Sequence, residues 1–202
     1  MRPLADADLP PLGLRERKKA KTLAAIQTAA LRLFQEQGYD ETTIEQIAAA
    51  AEVSPSTFFR YFPTKEDAVL LDLTDPLVID AFRAQPPELS AIQAMRNAVR
   101  TVFDQLPEEE FEVVRQREEL IFANPELQAR MLGEIAGMVK LVTEIVAERT
   151  GRRSDEFELR VLAGAMMGVV FGLALTQPEK SPRDLIALFD AGLEQLEKGL
   201  KL

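Results

Sequence analysis

Between Thr42 and Asp67 the chain reads TTIEQIAAAAEVSPSTFFRYFPTKED, a run of short hydroxyl side chains with one arginine, one tyrosine and one lysine set among helix caps. Groups of these types donate hydrogen bonds and carry positive charge, so the chemistry open to them is the holding of phosphates and base edges. Lys65 is the most pointed of them. Thr64 and Asp67 resemble a cap, which puts Lys65 in the first turn of a helix, where the dipole disfavours a cation by about a few tenths of a kcal/mol. A phosphate bound beside it would account for the placement.

The elements that must position these groups are two short helices and the start of a third. Thr42 with Glu45 fits a capping box, and Ile44, Ile47, Ala48 and Ala51 follow at helical spacing. Ala48 to Ala51 lets a second helix approach closely. Ser54 caps that second helix, Pro55 suits its first turn, and Phe58 and Phe62, four apart, give it a buried stripe that leaves the other face free. This is the grammar of a helix-turn-helix, which by pattern alone is either a DNA reader or a structural corner of an all-α protein. As a reader, its geometry brings Pro55, Ser56, Thr57 and Arg60 to base edges, with Ser54 at the same helix start and Phe59 against a thymine methyl. Thr43, Tyr61 and Lys65 are placed for phosphate.

The rest of the chain is helical to its end. Residues 1–14 hold Pro3, Pro10, Pro11 and Gly13 with little periodicity and read as a mobile arm. Leu23, Ile26, Ala30, Leu33 and Phe34 mark a helix from about Glu16 to Gln37, stopped by Gly38. Beyond residue 64 the pattern predicts six helices, at roughly 65–84, 90–105, 107–123, 125–150, 155–176 and 182–200, separated by Pro86-Pro87, Pro107, Asn124-Pro125, Thr150-Gly151 and the Pro178 to Pro182 link. No segment alternates like a strand.

The chain has 202 residues, no cysteine and no histidine, which excludes disulfides, the usual zinc sites and Ser-His or Cys-His nucleophile pairs. No cofactor and no metal is expected. Net charge is −9, which taken alone argues against a nucleic-acid partner, but it is unevenly spread. Residues 1–70 carry 9 basic and 10 acidic side chains, a balance of −1, and Arg15, Arg17, Lys18, Lys19 and Lys21 cluster at the first helix. Such a cluster still makes phosphate contacts. Glu108-Glu109-Glu110 after Pro107 complements a helix dipole, and Glu118-Glu119 beside Arg115 and Arg117 reads as a solvated, ion-paired face. The run Val161 to Leu175 reads as a buried helix, too short for a bilayer. The N-terminus lacks the apolar core of a signal peptide, so a cytoplasmic protein without membrane contact is expected.

From Lys18 to Leu71 the chain resembles the TetR family of bacterial transcriptional regulators. The resemblance runs through Ile26, Ala29-Ala30, Leu33-Phe34, Gly38-Tyr39, Thr42-Thr43, Ile47-Ala48, Val53-Ser54, Thr57, Tyr61-Phe62 and Lys65-Glu66. Phe59 departs from it, standing where the family most often has a tyrosine whose hydroxyl reaches a phosphate. The resemblance implies an all-α homodimer with an N-terminal three-helix DNA-binding domain and a six-helix regulatory and dimerisation domain. On this division residues 15–64 read DNA and residues 65–202 bind effector and partner. Arms like the one carrying Arg17 and Lys18 touch the DNA backbone or enter the minor groove in similar proteins.

Glycine every fourth residue at Gly164, Gly168 and Gly172 leaves one helix side nearly flat, suited either to tight packing within the chain or, as the resemblance implies, to a four-helix dimer bundle with Leu185, Leu188, Phe189, Gly192, Leu193 and Leu196. Phe82, Met95, Val99, Phe103, Phe122, Met131, Ile135, Met138 and Phe171 are ordinary core or the lining of an apolar effector pocket, with Arg96, Asn97, Arg115 and Gln116 as polar anchors. The combined expectation is a ligand-responsive, non-enzymatic regulator, a repressor of adjacent genes that binds a palindromic double-stranded operator as a homodimer and is released by a small apolar or amphipathic effector. The alternatives are a helical scaffold for protein partners and an enzyme using pocket carboxylates.

Overall fold

Gly38 ends the first helix in the left-handed region, at φ 93°, and its N–H donates to the Phe34 carbonyl at 3.1 Å. The computed structural model describes residues 14–177 and 180–200, and the side chains of all of these except Glu16. Of the predicted arm, residues 1–13 lie outside the described residues, and Leu14 already belongs to α1 (Leu14–Gln37). Pro178 and Glu179 of the predicted link also lie outside.

Helices are the only regular elements among the described residues. After α1 come α2 (Ile44–Ala50), α3 (Pro55–Tyr61), α4 (Lys65–Leu70), α5 (Asp75–Arg83), α6 (Ala91–Gln105), α7 (Glu108–Ala123), α8 (Pro125–Thr150), α9 (Phe157–Thr176) and α10 (Pro182–Glu197). The all-α class and the N-terminal three-helix unit are as the sequence predicts. The predicted helix over 65–84 is instead two, α4 and α5, so seven helices follow α3 rather than six. Pro76 is the reason: inside a continuous helix its ring would strike the carbonyl four residues back, whereas at the start of α5 its missing N–H costs nothing.

Contacts divide the chain into two units. Among the described residues, the first holds those up to Leu73 together with Gln105–Leu127, and the second holds Thr74–Asp104 and those from Gln128 onward. The expected boundary near residue 64 therefore leaves out α4 and α7, which pack with α1 in the first unit. In the second unit Phe82, Met95, Val99, Val102, Val146, Leu159, Met166 and Leu193 form one apolar core.

Within the first unit the short α4 is held by side chains at the carbonyls its early end leaves open. Gln27, buried on the apolar stripe of α1, donates through Nε2 to the carbonyls of Ala68 at 3.0 Å and Leu71 at 2.8 Å. Arg117 of α7 donates to the Leu70 carbonyl at 3.4 Å and pairs with Asp72. Arg117 is thus not on a solvated face as expected, and neighbouring Glu118 is half-buried, its carboxyl pushed up to about 6 by burial. Arg115 does pair along the exposed helix with Glu112 and Glu119.

Replacing the Gln27 amide by an apolar group leaves those two carbonyls without their donor. Gln27→Leu is expected to cost about 1–3 kcal/mol, because an unsatisfied buried polar group costs its desolvation. A lowered urea midpoint with an unchanged denaturant slope is the expected measurement.

Candidate nucleic-acid interface

The recognition unit begins with a cap one residue later than predicted. Thr43, not Thr42, is the N-cap of α2: its Oγ1 accepts from the Gln46 N–H at 3.2 Å, and its own N–H donates to Gln46 Oε1 at 2.8 Å. Thr42 is buried and its hydroxyl donates to the Gly38 carbonyl at 2.7 Å, satisfying an acceptor at the end of α1. Gln37 ties the two threonine positions together, donating to Thr42 Oγ1 at 3.2 Å and Gln46 Oε1 at 2.9 Å. Both Thr-x-x-Glu and Thr-x-x-Gln fit the capping pattern, and only burial of Thr42 chooses between them.

The turn from α2 to α3 passes through Glu52 at φ 55°, a left-handed conformation that costs a residue with a side chain about 1–2 kcal/mol. That strain is repaid on the far side. Ser54 Oγ accepts from the Thr57 N–H at 3.1 Å and lies 3.0 Å from Thr57 Oγ1, with Pro55 opening the helix. Phe58 and Phe62 are both buried, as expected, and their rings pack 5.8 Å apart. Pro55, Ser56, Phe59 and Arg60 are exposed, while Thr57 and Tyr61 are half-buried. The Phe59 ring, 51% exposed, stands edge-on to Phe58. The Arg60 guanidinium lies over the Tyr61 ring at 4.9 Å.

Thr43 is exposed beside its cap, Lys18 is exposed on α1, and Arg17 there is half-buried. Lys65 has an internal task that sequence reasoning missed. Its Nζ donates to the Tyr39 carbonyl at 2.8 Å and sits 4.2 Å above the Tyr39 ring. The Tyr39 hydroxyl in turn donates to Glu66 Oε1 at 2.6 Å. A cation in the first turn of α4 is therefore explained without a phosphate. Also missed were Gln27 and Arg117, the side chains that hold α4. Gln27 was detectable as a polar residue on the apolar spacing Leu23, Ile26, Ala30, Phe34; Arg117 carries no such signal.

The residues proposed for ligand and partner lie mostly in the second unit. Phe82 is fully enclosed beneath the Arg149 guanidinium, at 5.4 Å from its ring, so it packs the core rather than facing a ligand. Met95 and Val99 are also core residues, whereas Phe103, Met131, Ile135, Met138 and Phe171 are half-buried. Phe122 is half-buried in the first unit. Arg96 is not a free anchor: it binds Asp190 at 2.8 Å, holding that carboxyl below the usual carboxylate range, and reaches Glu194 and Glu197 at 3.5 and 3.4 Å. Arg115 and Gln116 are both bonded to Glu112. Asn97 is half-buried.

Leu193 is fully buried within its own chain, which removes it from the expected partner surface. Phe189 and Leu196 are half-buried against the same core, and Leu185 is half-buried. The expectation of a buried helix at 161–175 also fails, since along α9 only Leu159, Ala163 and Met166 are enclosed. A methyl group built at Gly164, Gly168 or Gly172 would meet no group of another element within 4 Å, so among the described residues nothing packs on these glycines. Gly192 is the contrary case: its methyl would fall 2.5 Å from Val169 Cγ1, and there α10 and α9 do close on each other.

Residues 26–70 match the family described as bacterial regulatory proteins, tetR family, and residues 89–201 match the MftR C-terminal domain. The chain is similar to the HTH-type transcriptional regulator TcmR of Streptomyces glaucescens, 33% identical over 93% of this chain and 88% of that one. It is 29% identical to MftR of Mycobacterium tuberculosis, over 90% of this chain and 96% of its relative. Among solved structures, Thermus thermophilus FadR, a repressor in complex with lauroyl-CoA, superposes with a TM-score of 0.51 at 24% identity, covering 89% of this chain and 95% of that one.

The Lys65 geometry sets an expectation for stability. Lys65→Met removes a charge-assisted hydrogen bond and a cation–π contact, together worth about 1–2 kcal/mol, and should lower the melting temperature in the absence of DNA. An unchanged melting temperature would mean that the ammonium is held by neither Tyr39 group in solution.

Proposed function

The chain belongs to the TetR family of bacterial regulatory proteins, a DNA-binding regulator of transcription, and on that premise we propose that it is a repressor released from a palindromic operator by a small apolar or amphipathic effector. The observation that carries the DNA-reading part is α3 itself: one face is fastened by the Ser54 cap, Phe58 and Phe62, and the other leaves Ser56, Phe59 and Arg60 open. Residues 15–64 form the reader in this proposal, with α4 and α7 as its support, and the second unit takes effector and partner. The work is done in the cytoplasm, where the DNA is.

The proposed partner is a second copy of the chain, seated on α9. At about 100° per residue, Phe157, Val161, Gly164, Gly168, Gly172 and Leu175 fall within an arc of about 80°. Phe157 is 72% exposed, and the glycines add no side chain to hold two backbones apart. Two recognition helices related by a twofold axis would then meet successive major grooves, about 34 Å apart. An effector that favours a dimer with any other spacing releases DNA by shifting the population. Phe103, Met131, Ile135, Met138 and Phe171 are the side chains that support an apolar or amphipathic ligand. The lauroyl-CoA bound by FadR is one such molecule.

Three measurements test this reading. Gly168→Leu should not destabilise the protomer, since a Cβ there meets no group of another element within 4 Å among the described residues and leucine favours helix over glycine by about 1 kcal/mol, yet it should shift sedimentation from dimer to monomer. A variant that remains dimeric would move the interface away from α9. Titration of apolar and amphipathic compounds, lauroyl-CoA among them, with and without operator should find one whose affinity DNA changes by about 5–150-fold, the same factor by which that compound changes DNA affinity. A bound compound with equal affinity in both cases is not the effector, and an absence of salt-dependent binding to duplex DNA would end the reading altogether.

A further inference from the structure

Of the polar groups along α3, several are already committed. The hydroxyls of Ser54 and Thr57 lie 3.0 Å apart within the cap, Pro55 has no N–H, and Tyr61 is half-buried beneath a guanidinium. What remains is an exposed arc of about 140°, at 100° per residue, that holds Pro55, Phe59, Ser56 and Arg60 in that angular order. Two of these carry strong and opposite preferences for what they touch.

Arg60 makes no ion pair among the described residues, and its guanidinium lies over the Tyr61 ring. A guanidinium fork has only donors, so it is matched by two acceptors side by side. In the major groove guanine alone offers that pair, O6 and N7; adenine presents N7 beside a donor, and cytosine presents a donor. Phe59 offers the complement. Its ring is 51% exposed and set at 87° to the buried Phe58 ring, 5.8 Å away. The apolar group on the major-groove floor is the thymine C5-methyl.

We propose that each operator half-site is read as a guanine by the Arg60 fork and a thymine methyl by the Phe59 ring, with Thr57 spent on the cap and not on bases. The inference rests on the DNA-reading proposal and names what that same face selects. Arg60 is then a specificity-determining residue, Tyr61 the side chain that positions it, and the seven-residue α3 needs no further polar reader than Ser56 beside them.

The test starts from duplexes selected out of a random pool by the full-length protein, followed by titration of a selected duplex carrying 7-deazaguanine or uracil at single positions. At one guanine per half-site, loss of N7 should weaken wild-type binding roughly tenfold and Arg60→Ala binding less than about twofold. Arg60→Lys, which keeps the charge and loses the planar fork, should hold random duplex as the wild type does while its guanine preference falls. Replacing one thymine by uracil should weaken the wild type but not Phe59→Ala. Both side chains are exposed, so melting temperatures should match the wild type and separate recognition from folding. The proposal is overturned if no guanine N7 matters, or if Arg60→Ala weakens selected and random duplex by the same factor, which would make Arg60 a phosphate contact. A pool from which the wild type enriches no sequence removes the DNA-reading proposal and this one with it.

Discussion

Helices of six or seven residues are too short to stand alone in water, because the cost of nucleation is recovered only over about three to four turns. The recognition unit has three in succession: α2, α3 and α4. Each has its N-terminus capped by a side chain and its middle fastened by a buried one, and α4 has its C-terminal carbonyls held as well. Thr43, Ser54 and Thr64 close the N-termini, Gln27 and Arg117 hold the carbonyls at the end of α4, and buried Ile47, Phe58 and Val69 fasten the middles. The open face of α3 is a by-product of this fastening. A side chain used to anchor cannot also read, so the division of α3 into Phe58 and Phe62 on one side and Phe59 and Arg60 on the other sets what the helix can recognise.

Much of this was legible in the sequence because it depends on spacing. Ser54-Pro55, the Phe58–Phe62 pair, the Thr64–Asp67 cap and the Gly38 stop are local patterns, and all of them form as written. The failures have a common cause, in that local pattern leaves a tie which tertiary burial breaks. Thr42 and Thr43 both begin a capping box, and the burial of Thr42 hands the role to Thr43. The apolar spacing from 65 to 84 runs through Pro76 without a gap, so periodicity hid a break that the proline ring enforces. Lys65 looked misplaced only because the carbonyl and ring of Tyr39, distant in sequence, were not visible.

The candidate site for ligand and partner was less legible, since apolar residues look alike whether they pack a core, line a pocket or face another molecule. Phe82, Leu193 and Val161 have similar chemistry, yet two are fully enclosed and the third lies on an exposed helix face. The glycines of α9 and α10 show the same ambiguity resolved by geometry. Gly192 is small because Val169 is there, and Gly164, Gly168 and Gly172 have open space where a side chain would be. Polar residues are ambiguous for the opposite reason: local sequence leaves Arg96 without a partner, because Asp190, Glu194 and Glu197 lie about a hundred residues further along the chain.

The discontinuity of the first unit has a consequence for biosynthesis. Its reader helices are translated by Leu73, but α7, which packs on α1 and α4 and carries Arg117, is not complete until the chain has passed Ala123. At about 5–20 residues per second the ribosome takes several seconds to cover that interval. During it the nascent α4 has Gln27 but no Arg117, and the apolar surface that α7 will cover faces solvent. The DNA-reading end of the protein is thus made first and finished late, and a chain truncated near Leu73 holds the reader's residues without the helix that backs them.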